Sequence, residues 1–192
     1  MKSPFTGLLH FLGAALLAML APAVAAPQNS LQVVEVKTAV GASGVHPGAT
    51  IKVAALARIT PGYHINDHQP TLDYLIPTEW KLEVPSPISV EKTVYPQGEL
   101  KKFAFSDTRL SVYEGSLTVG ALLRVARTAR PGVYAVKGKL HYQACNDHAC
   151  LPPRSVPVTL SVKVVARGTP LKELNADVFS SLEGLEPARK GL

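Results

Sequence analysis

The chain has 192 residues, of which 46% are hydrophobic and 18% charged; Lys plus Arg outnumber Asp plus Glu by 20 to 14, for a formal net charge of +6. That length supports one domain with its own core, or one domain and a tail. The positive excess is dispersed over Lys101-Lys102, Arg124, Arg127 and Arg130 without interleaved aromatics, which argues against a nucleic-acid partner.

Residues 1–25 read as a secretory signal peptide. Lys2 supplies the positive start, Phe5 to Leu20 is mostly apolar, and Ala23-Val24-Ala25 fits the small-x-small rule for cleavage after Ala25. No cysteine follows the apolar run, so nothing there indicates a lipid anchor. No later segment approaches 18 consecutive apolar residues, and a soluble mature protein is expected. Export places it in an oxidising compartment, read here as the bacterial periplasm, where paired cysteines form disulfides.

The mature sequence alternates apolar and polar residues, as half-buried strands do. Leu31 to Val40 is the first expected strand, with Val34, Val36 and Val40 on one side. Thr50 to Ile59 is the second, where Ile51, Val53, Ala55, Ala57 and Ile59 share a parity. Tyr63 to Pro70 looks too polar for a core strand, and His64 and His68 read as loop histidines. Leu75 to Thr78 and Trp80 to Val84 restart the extended pattern, with Trp80 expected in the core. Ile88 to Tyr95 continues it, and Pro96-Gln97-Gly98 marks a turn. Phe103 and Phe105 share a parity within a charged stretch and by pattern alone read as core. Val112-Tyr113, Leu117 to Val125, Val133 to Ala144 and Ser155 to Val165 complete the series.

Seven to nine short strands with Gly/Pro turns indicate an all-β fold, an immunoglobulin-like antiparallel β-sandwich over residues 26–167. Residues 168–192 differ. Leu171, Leu174, Val178, Leu182 and Leu185 approach helical spacing, which admits a short C-terminal helix, with fraying expected from Pro187 onward.

Only two cysteines occur, Cys145 and Cys150, in His141-Tyr142-Gln143-Ala144-Cys145-Asn146-Asp147-His148-Ala149-Cys150-Leu151-Pro152-Pro153. If the strand stays regular, period-2 counting points Cys145 away from the face that buries Tyr142 and Ala144. The sulfurs could meet across a hairpin end if the Cα separation closes to about 5.5 Å. Such a disulfide closes a loop of six residues, worth only about 2 kcal/mol by chain entropy, a weak staple for a domain of this size. It suits opening and closing instead. Asp147 and His148 could tune a thiolate there, a cationic His lowering a thiol pKa and an anionic Asp raising it. Spacing alone leaves two other readings open. One is a structural disulfide in a non-catalytic binding or chaperone module. The other is a metal site built from His141, Cys145, His148 and Cys150, with His46, His64 and His68 in reserve, although that spacing matches no mechanically justified zinc pattern. No Ser-His-Asp arrangement, carboxylate pair or phosphate-cradling loop is visible in the linear order.

Tyr142-Gln143-Ala144-Cys145, four residues, then Cys150-Leu151-Pro152-Pro153 resembles the active-site signature of the N-terminal periplasmic domain of DsbD, the thiol:disulfide interchange protein. Pro61-Gly62-Tyr63-His64-Ile65-Asn66 is similar to that family too. So is the stretch from Val94-Tyr95-Pro96 through Phe103-Ala104-Phe105-Ser106 to Val112-Tyr113-Glu114-Gly115. The resemblance covers about residues 30–165 and implies an immunoglobulin-like sandwich carrying the cysteine pair on a hairpin. It implies a relay without cofactor or metal, in which the reduced pair passes electrons to oxidised periplasmic thiol proteins and is re-reduced by a thioredoxin-like partner. Cys150 would form the mixed disulfide and Cys145 would resolve it. Phe103 and Phe105 would belong to a cap over the sulfurs, and Tyr63 and His64 would line the site. Lys101-Lys102 stands where the family's cap carries acidic residues. Full DsbD continues into a membrane conduit and a thioredoxin-like domain, so the expectation here is a stand-alone module fed by a separate membrane electron conduit.

Overall fold

The computed structural model describes residues 32–182 together with Gly184 and Leu185. The signal reading for residues 1–25 and the fraying expected from Pro187 lie outside the described residues. Strands form where apolar alternation is sustained and, as short runs, outside it. They are β1 (Val34–Val40), β2 (Thr50–Ile59), β3 (His64–Asn66), β4 (Glu79–Glu83), β5 (Ile88–Val94), β6 (Glu99–Lys101), β7 (Leu110–Tyr113), β8 (Ser116–Val125), β9 (Gly132–Tyr142), β10 (Ala144–Cys145) and β11 (Arg154–Val164). A five-residue helix, α1 (Ala176–Ser180), follows.

Two sheets form an immunoglobulin-like sandwich. One runs β1-β2-β8-β5 and the other β11-β9-β4, every pairing antiparallel. Their inner faces interdigitate in one core. Val53, Ala55, Val119, Ala121 and Leu123 come from the first sheet, and Trp80, Val136, Leu140, Tyr142, Leu160 and Val162 from the second. On β11 the burial alternates residue by residue from Val158 to Val164, so one face is core and the other is wet. Gly138 interrupts the inward series of β9 for a steric reason. A Cβ there would lie 2.8 Å from the Lys81 carbonyl oxygen, 3.1 Å from Leu82 Cδ2 and 3.3 Å from the indole Nε1 of Trp80, so the close approach of the β4 backbone requires a bare residue.

Among the described residues the strand count is eleven, more than the seven to nine expected, because four short strands make a third sheet in the order β10-β3-β7-β6. Runs of two to four residues carry no readable alternation. The polar segment beginning at Tyr63 is also corrected. His64, Ile65 and Asn66 form β3 and all three are buried, so His64 is a strand residue. His68 lies outside the strands, half-buried, its ring stacked on Tyr95 with centroids 3.6 Å apart. Polarity is tolerated here because much of it is hydrogen-bonded. Asn66 Nδ2 donates to the Ile76 carbonyl (2.9 Å), the Thr78 hydroxyl donates to the Asn66 carbonyl (2.6 Å), and His68 Nδ1 lies 3.0 Å from the Thr78 carbonyl.

The helix is shorter than the leucine spacing suggested. Leu171 and Leu174 precede it and are exposed, while Phe179, Leu182 and Leu185 are buried against Ala54 and Leu122 on the outer face of β2 and β8. Backbone bonds tie the segment down: Ser43 N donates to the Lys172 carbonyl (2.9 Å) and Leu174 N to the Gly41 carbonyl (3.0 Å). Among the described residues no helix is long and apolar enough to cross a membrane.

Candidate functional site: the Cys145–Cys150 hairpin

β9 ends at Tyr142, and the chain leaves its sheet at Gln143 to pair with β3. The new pairing sets Ala144 opposite Ile65 and Cys145 opposite His64. Directly opposed residues of antiparallel strands present their side chains on the same face, with Cβ atoms about 4.5–5.5 Å apart. Ala144 and Ile65 join the main core, so Cys145 and His64 face the other way.

A tight hairpin follows. Asn146 N donates to the Ala149 carbonyl (3.0 Å), Leu151 N donates to the Ala144 carbonyl (2.8 Å), and the Asn146 side-chain oxygen accepts from His148 N (2.9 Å) and Ala149 N (2.8 Å). Between these bonds Cys145 and Cys150 oppose each other as an antiparallel bridge pair. They form a disulfide with S–S 2.01 Å and Cα atoms 3.9 Å apart. That separation is shorter than the expected value, and shorter too than the about 4.5 Å of the closer kind of directly opposed antiparallel pair.

The two cysteines differ in exposure. Cys150 is exposed, whereas Cys145 is only 2% exposed. Period-2 counting gives Cys145 its direction, away from Ala144, but the face it points to is covered. His64 lies opposite it, also 2% exposed. The Phe103 ring stacks on His64 with centroids 4.1 Å apart, and Phe105 stacks on Phe103 at 5.3 Å. Phe103 is buried in a small cluster with Leu110 and Val112, edged by Leu72 and Leu75 and separate from the main core. Phe105 is 48% exposed. Neither phenylalanine is thus a residue of the main core. Tyr63 is half-buried and packs against that core. Asp147 and His148 are exposed at the hairpin tip.

Electrostatics around His64 are mixed. Burial pushes its imidazole down from the ordinary range, Glu114 and Asp147 oppose that shift, and Lys101 adds to it. Its Nε2 is buried without a hydrogen-bond partner. The two lysines of the loop are engaged: Lys101 Nζ pairs with Glu114 and lies 3.6 Å from a Glu99 oxygen, and Lys102 Nζ donates to the Ser106 carbonyl at 2.7 Å. Lys101 is therefore partly neutralised, by Glu114 from the β7–β8 turn and by Glu99 from its own strand.

Sequence reasoning missed the polar brace behind the site. The Asp67 carboxylate accepts from the Tyr113 hydroxyl (2.5 Å), the Ser111 hydroxyl (2.6 Å), Gly98 N (3.1 Å) and Gln69 N (3.3 Å). Burial pushes this carboxyl up, but those four bonds outweigh it and hold it below the usual carboxylate range. The Tyr113 phenol is driven well above its ordinary range by burial and by Asp67. The brace ties the end of β3 to β7 and to the turn before β6. A lone Asp in a polar stretch gives no sequence signal for it. Among the described residues no three His, Cys, Asp or Glu side chains converge in a metal-ligating arrangement, and the His141 ring bonds to the Ser155 hydroxyl (3.0 Å).

A family model described as "Thiol:disulfide interchange protein DsbD, N-terminal" matches residues 30–161, which include the hairpin and both cysteines. The chain belongs to the family of DsbD N-terminal domains. Solved structures similar to it include the reduced N-terminal domain of Neisseria meningitidis DsbD, at 19% identity over 72% of this chain and 88% of that one, with a TM-score of 0.42. Another is the N-terminal periplasmic domain of ScsB from Proteus mirabilis, at 13% identity and a TM-score of 0.46, covering 73% of this chain and 49% of that one. A third is a complex of the DsbD and PilB N-terminal domains from Neisseria meningitidis, at 19% identity over 72% of this chain and 88% of that one, with a TM-score of 0.38. No curated protein matches the sequence.

Proposed function

We propose that this domain is a periplasmic thiol–disulfide exchange module, relaying electrons between a thioredoxin-like or membrane-borne reductant and oxidised periplasmic thiol proteins. The observation that carries the proposal is the asymmetry of the pair: Cys150 is exposed and Cys145 is 2% exposed. A partner thiolate therefore has one sulfur to attack. It bonds to Cys150 Sγ, the Cys145–Cys150 bond breaks, and the electron pair leaves on Cys145 Sγ. A second thiol of the partner then displaces Cys150, which leaves as a thiolate, and the partner carries away the disulfide. In the reverse direction Cys150 attacks an oxidised partner and Cys145 resolves the mixed disulfide.

Family membership over residues 30–161 supports this chemistry. So does the sequence separation of 5, since so small a loop contributes little to stability. Phe103 and Phe105 serve as the cap in this reading, Tyr63 and His64 line the site, and Asp147 and His148 tune the thiols from the hairpin tip. Residues 1–25 direct export to the periplasm, and a separate membrane conduit supplies electrons.

The test uses a thioredoxin whose resolving cysteine is replaced and whose remaining cysteine is activated as the thionitrobenzoate mixed disulfide, so that an attacking domain thiolate expels thionitrobenzoate; it is mixed with single-cysteine variants. Cys145→Ala is expected to accumulate the mixed disulfide and Cys150→Ala to form none; equal trapping by both would refute the assigned roles. A reduction potential well below about −300 mV, with thioredoxin leaving the pair oxidised, would make the disulfide structural and end the proposal.

A further inference from the structure

Opening the disulfide creates a difficulty that the oxidised domain does not face. The leaving group is the thiolate of Cys145, and that residue is 2% exposed. An anion released there is poorly solvated, and burial of an uncompensated charge is costly. Some group must supply a proton or a charge-assisted hydrogen bond. His64 is placed to do so. It is the cross-strand partner of Cys145, on the same face, it is equally buried, and its Nε2 has no hydrogen-bond partner in the oxidised domain. A native buried polar atom without a partner calls for an explanation. A ring nitrogen that finds its partner only when the disulfide opens provides one.

We infer that His64 is the proton partner of Cys145, holding the thiolate when the disulfide is opened and taking the thiol proton when Cys145 resolves a mixed disulfide. This rests on the exchange reading above. The proton balance closes. On reduction the partner thiolate takes Cys150, Cys145 leaves with the electron pair, and a solvent proton enters the His64–Cys145 pair. On resolution Cys145 passes its proton to His64, attacks Cys150 Sγ, and expels the partner as a thiolate.

The surroundings fit a group that is neutral at rest. Burial disfavours the imidazolium, and Lys101 adds to that, while Glu114 and Asp147 favour it. With the pair oxidised the first effect wins. A Cys145 thiolate adds one more negative charge, on the residue directly across the strand pair, and favours a protonated ring. Phe103 over the imidazole keeps water from doing the same work. The titratable groups around His64 are thus Cys145, Glu114, Asp147 and Lys101.

The test needs no partner. In a Cys150→Ala background Cys145 is the only thiol, and its ionisation is read from thiolate absorbance near 240 nm against pH. Replacing His64 with Phe, or with Gln to keep a polar group, is expected to raise the midpoint by at least about one pH unit, a tenfold loss of thiolate at fixed pH. Far-UV circular dichroism checks that each variant is folded, and whichever folds decides the matter. A midpoint that does not move in a folded variant overturns the role of His64. Trapping at Cys150 with an unmoved midpoint leaves exchange standing and removes His64 from it; a raised midpoint without trapping does the reverse.

Discussion

Replacing Phe103 with Ala separates a cap from ordinary packing. Phe103 is 7% exposed, packs with Leu110 and Val112, and stacks on His64 and Phe105 at 4.1 and 5.3 Å. Phe→Ala at buried sites costs about 3–5 kcal/mol. The low end applies here, because Leu72 and Leu75 at the edge are half-buried and can collapse into the space. A cost of about 3 kcal/mol therefore covers the lost burial and both ring contacts. The cluster is separate from the main core, so most of that cost falls on local opening of the small sheet and not on global unfolding. At 1.4 kcal/mol per factor of ten, the open population rises on the order of a hundredfold. The assay treats oxidised protein with glutathione, quenches with acid and maps the mixed disulfide by peptide mass. The parent domain is expected to carry glutathione on Cys150 alone, and Phe103→Ala on Cys145 as well. Amide exchange at residues 64–66 should quicken in parallel. If Cys145 stays untouched and those amides exchange as before, the aromatic stack does not close the site and the reasoning fails.

Asp67→Asn removes an acceptor from a carboxylate that takes four hydrogen bonds, and is expected to cost about 1–3 kcal/mol at neutral pH by leaving a buried donor unpaired. Because the folded carboxyl is held below its ordinary range, the unfolded chain binds that proton first as pH falls; the stabilisation is complete above about pH 4 and is lost as pH drops through the folded value. Urea titrations near neutrality and near about pH 3 should therefore show the gap between parent and variant narrowing, and a constant gap would contradict the brace. Gly120→Val places a Cβ 2.7 Å from Leu182 Cδ1 and 2.9 Å from Leu185 Cδ2. It is expected to cost about 1–3 kcal/mol and to make the chain beyond residue 168 sensitive to proteolysis; unchanged resistance would mean that the segment does not depend on that close approach.

The sandwich was legible because its long strands alternate in sequence, even where the C-terminal segment covers Ala54 and Leu122 on the outer face of β2 and β8. β2 begins and ends where the alternation of Ile51 to Ile59 does, and β11 follows Val156 to Val164. Of the third sheet only β7 was legible, at Val112-Tyr113. β3 is buried at all three positions, so it has no wet face to alternate with, and its polar side chains mimic a loop. What makes it a strand is tertiary: Thr78 donates to the Asn66 carbonyl and Ile76 accepts from the Asn66 side-chain amide, and Asp67 is satisfied from β7 and the turn before β6. The tail misled in the opposite sense. Its leucine spacing was real, but Leu171 and Leu174 lie in an extended crossing over Gly41 and Ser43, and only the part past Asn175 coils and buries its apolar groups.

At the site itself, parity supplied the direction of Cys145 but not its environment. Counting along β9 cannot reveal that the chain changes sheets at Gln143, or that the face away from the core has its own cover. That second layer turns a hairpin disulfide into an asymmetric one. Were Cys145 as open as Cys150, a partner thiolate could attack either sulfur, and half the attacks would leave the mixed disulfide on the wrong residue. Burying one sulfur removes that ambiguity but creates a desolvated leaving group, so direction of attack and proton supply become one structural problem. Placing an imidazole across the strand pair from Cys145, under an aromatic lid and on a strand braced by Asp67, answers both with the same three short strands. The brace matters for this reason. An acid–base pair works only if its geometry survives opening of the disulfide, and the hydrogen bonds to Asp67 hold the end of β3 without involving either sulfur.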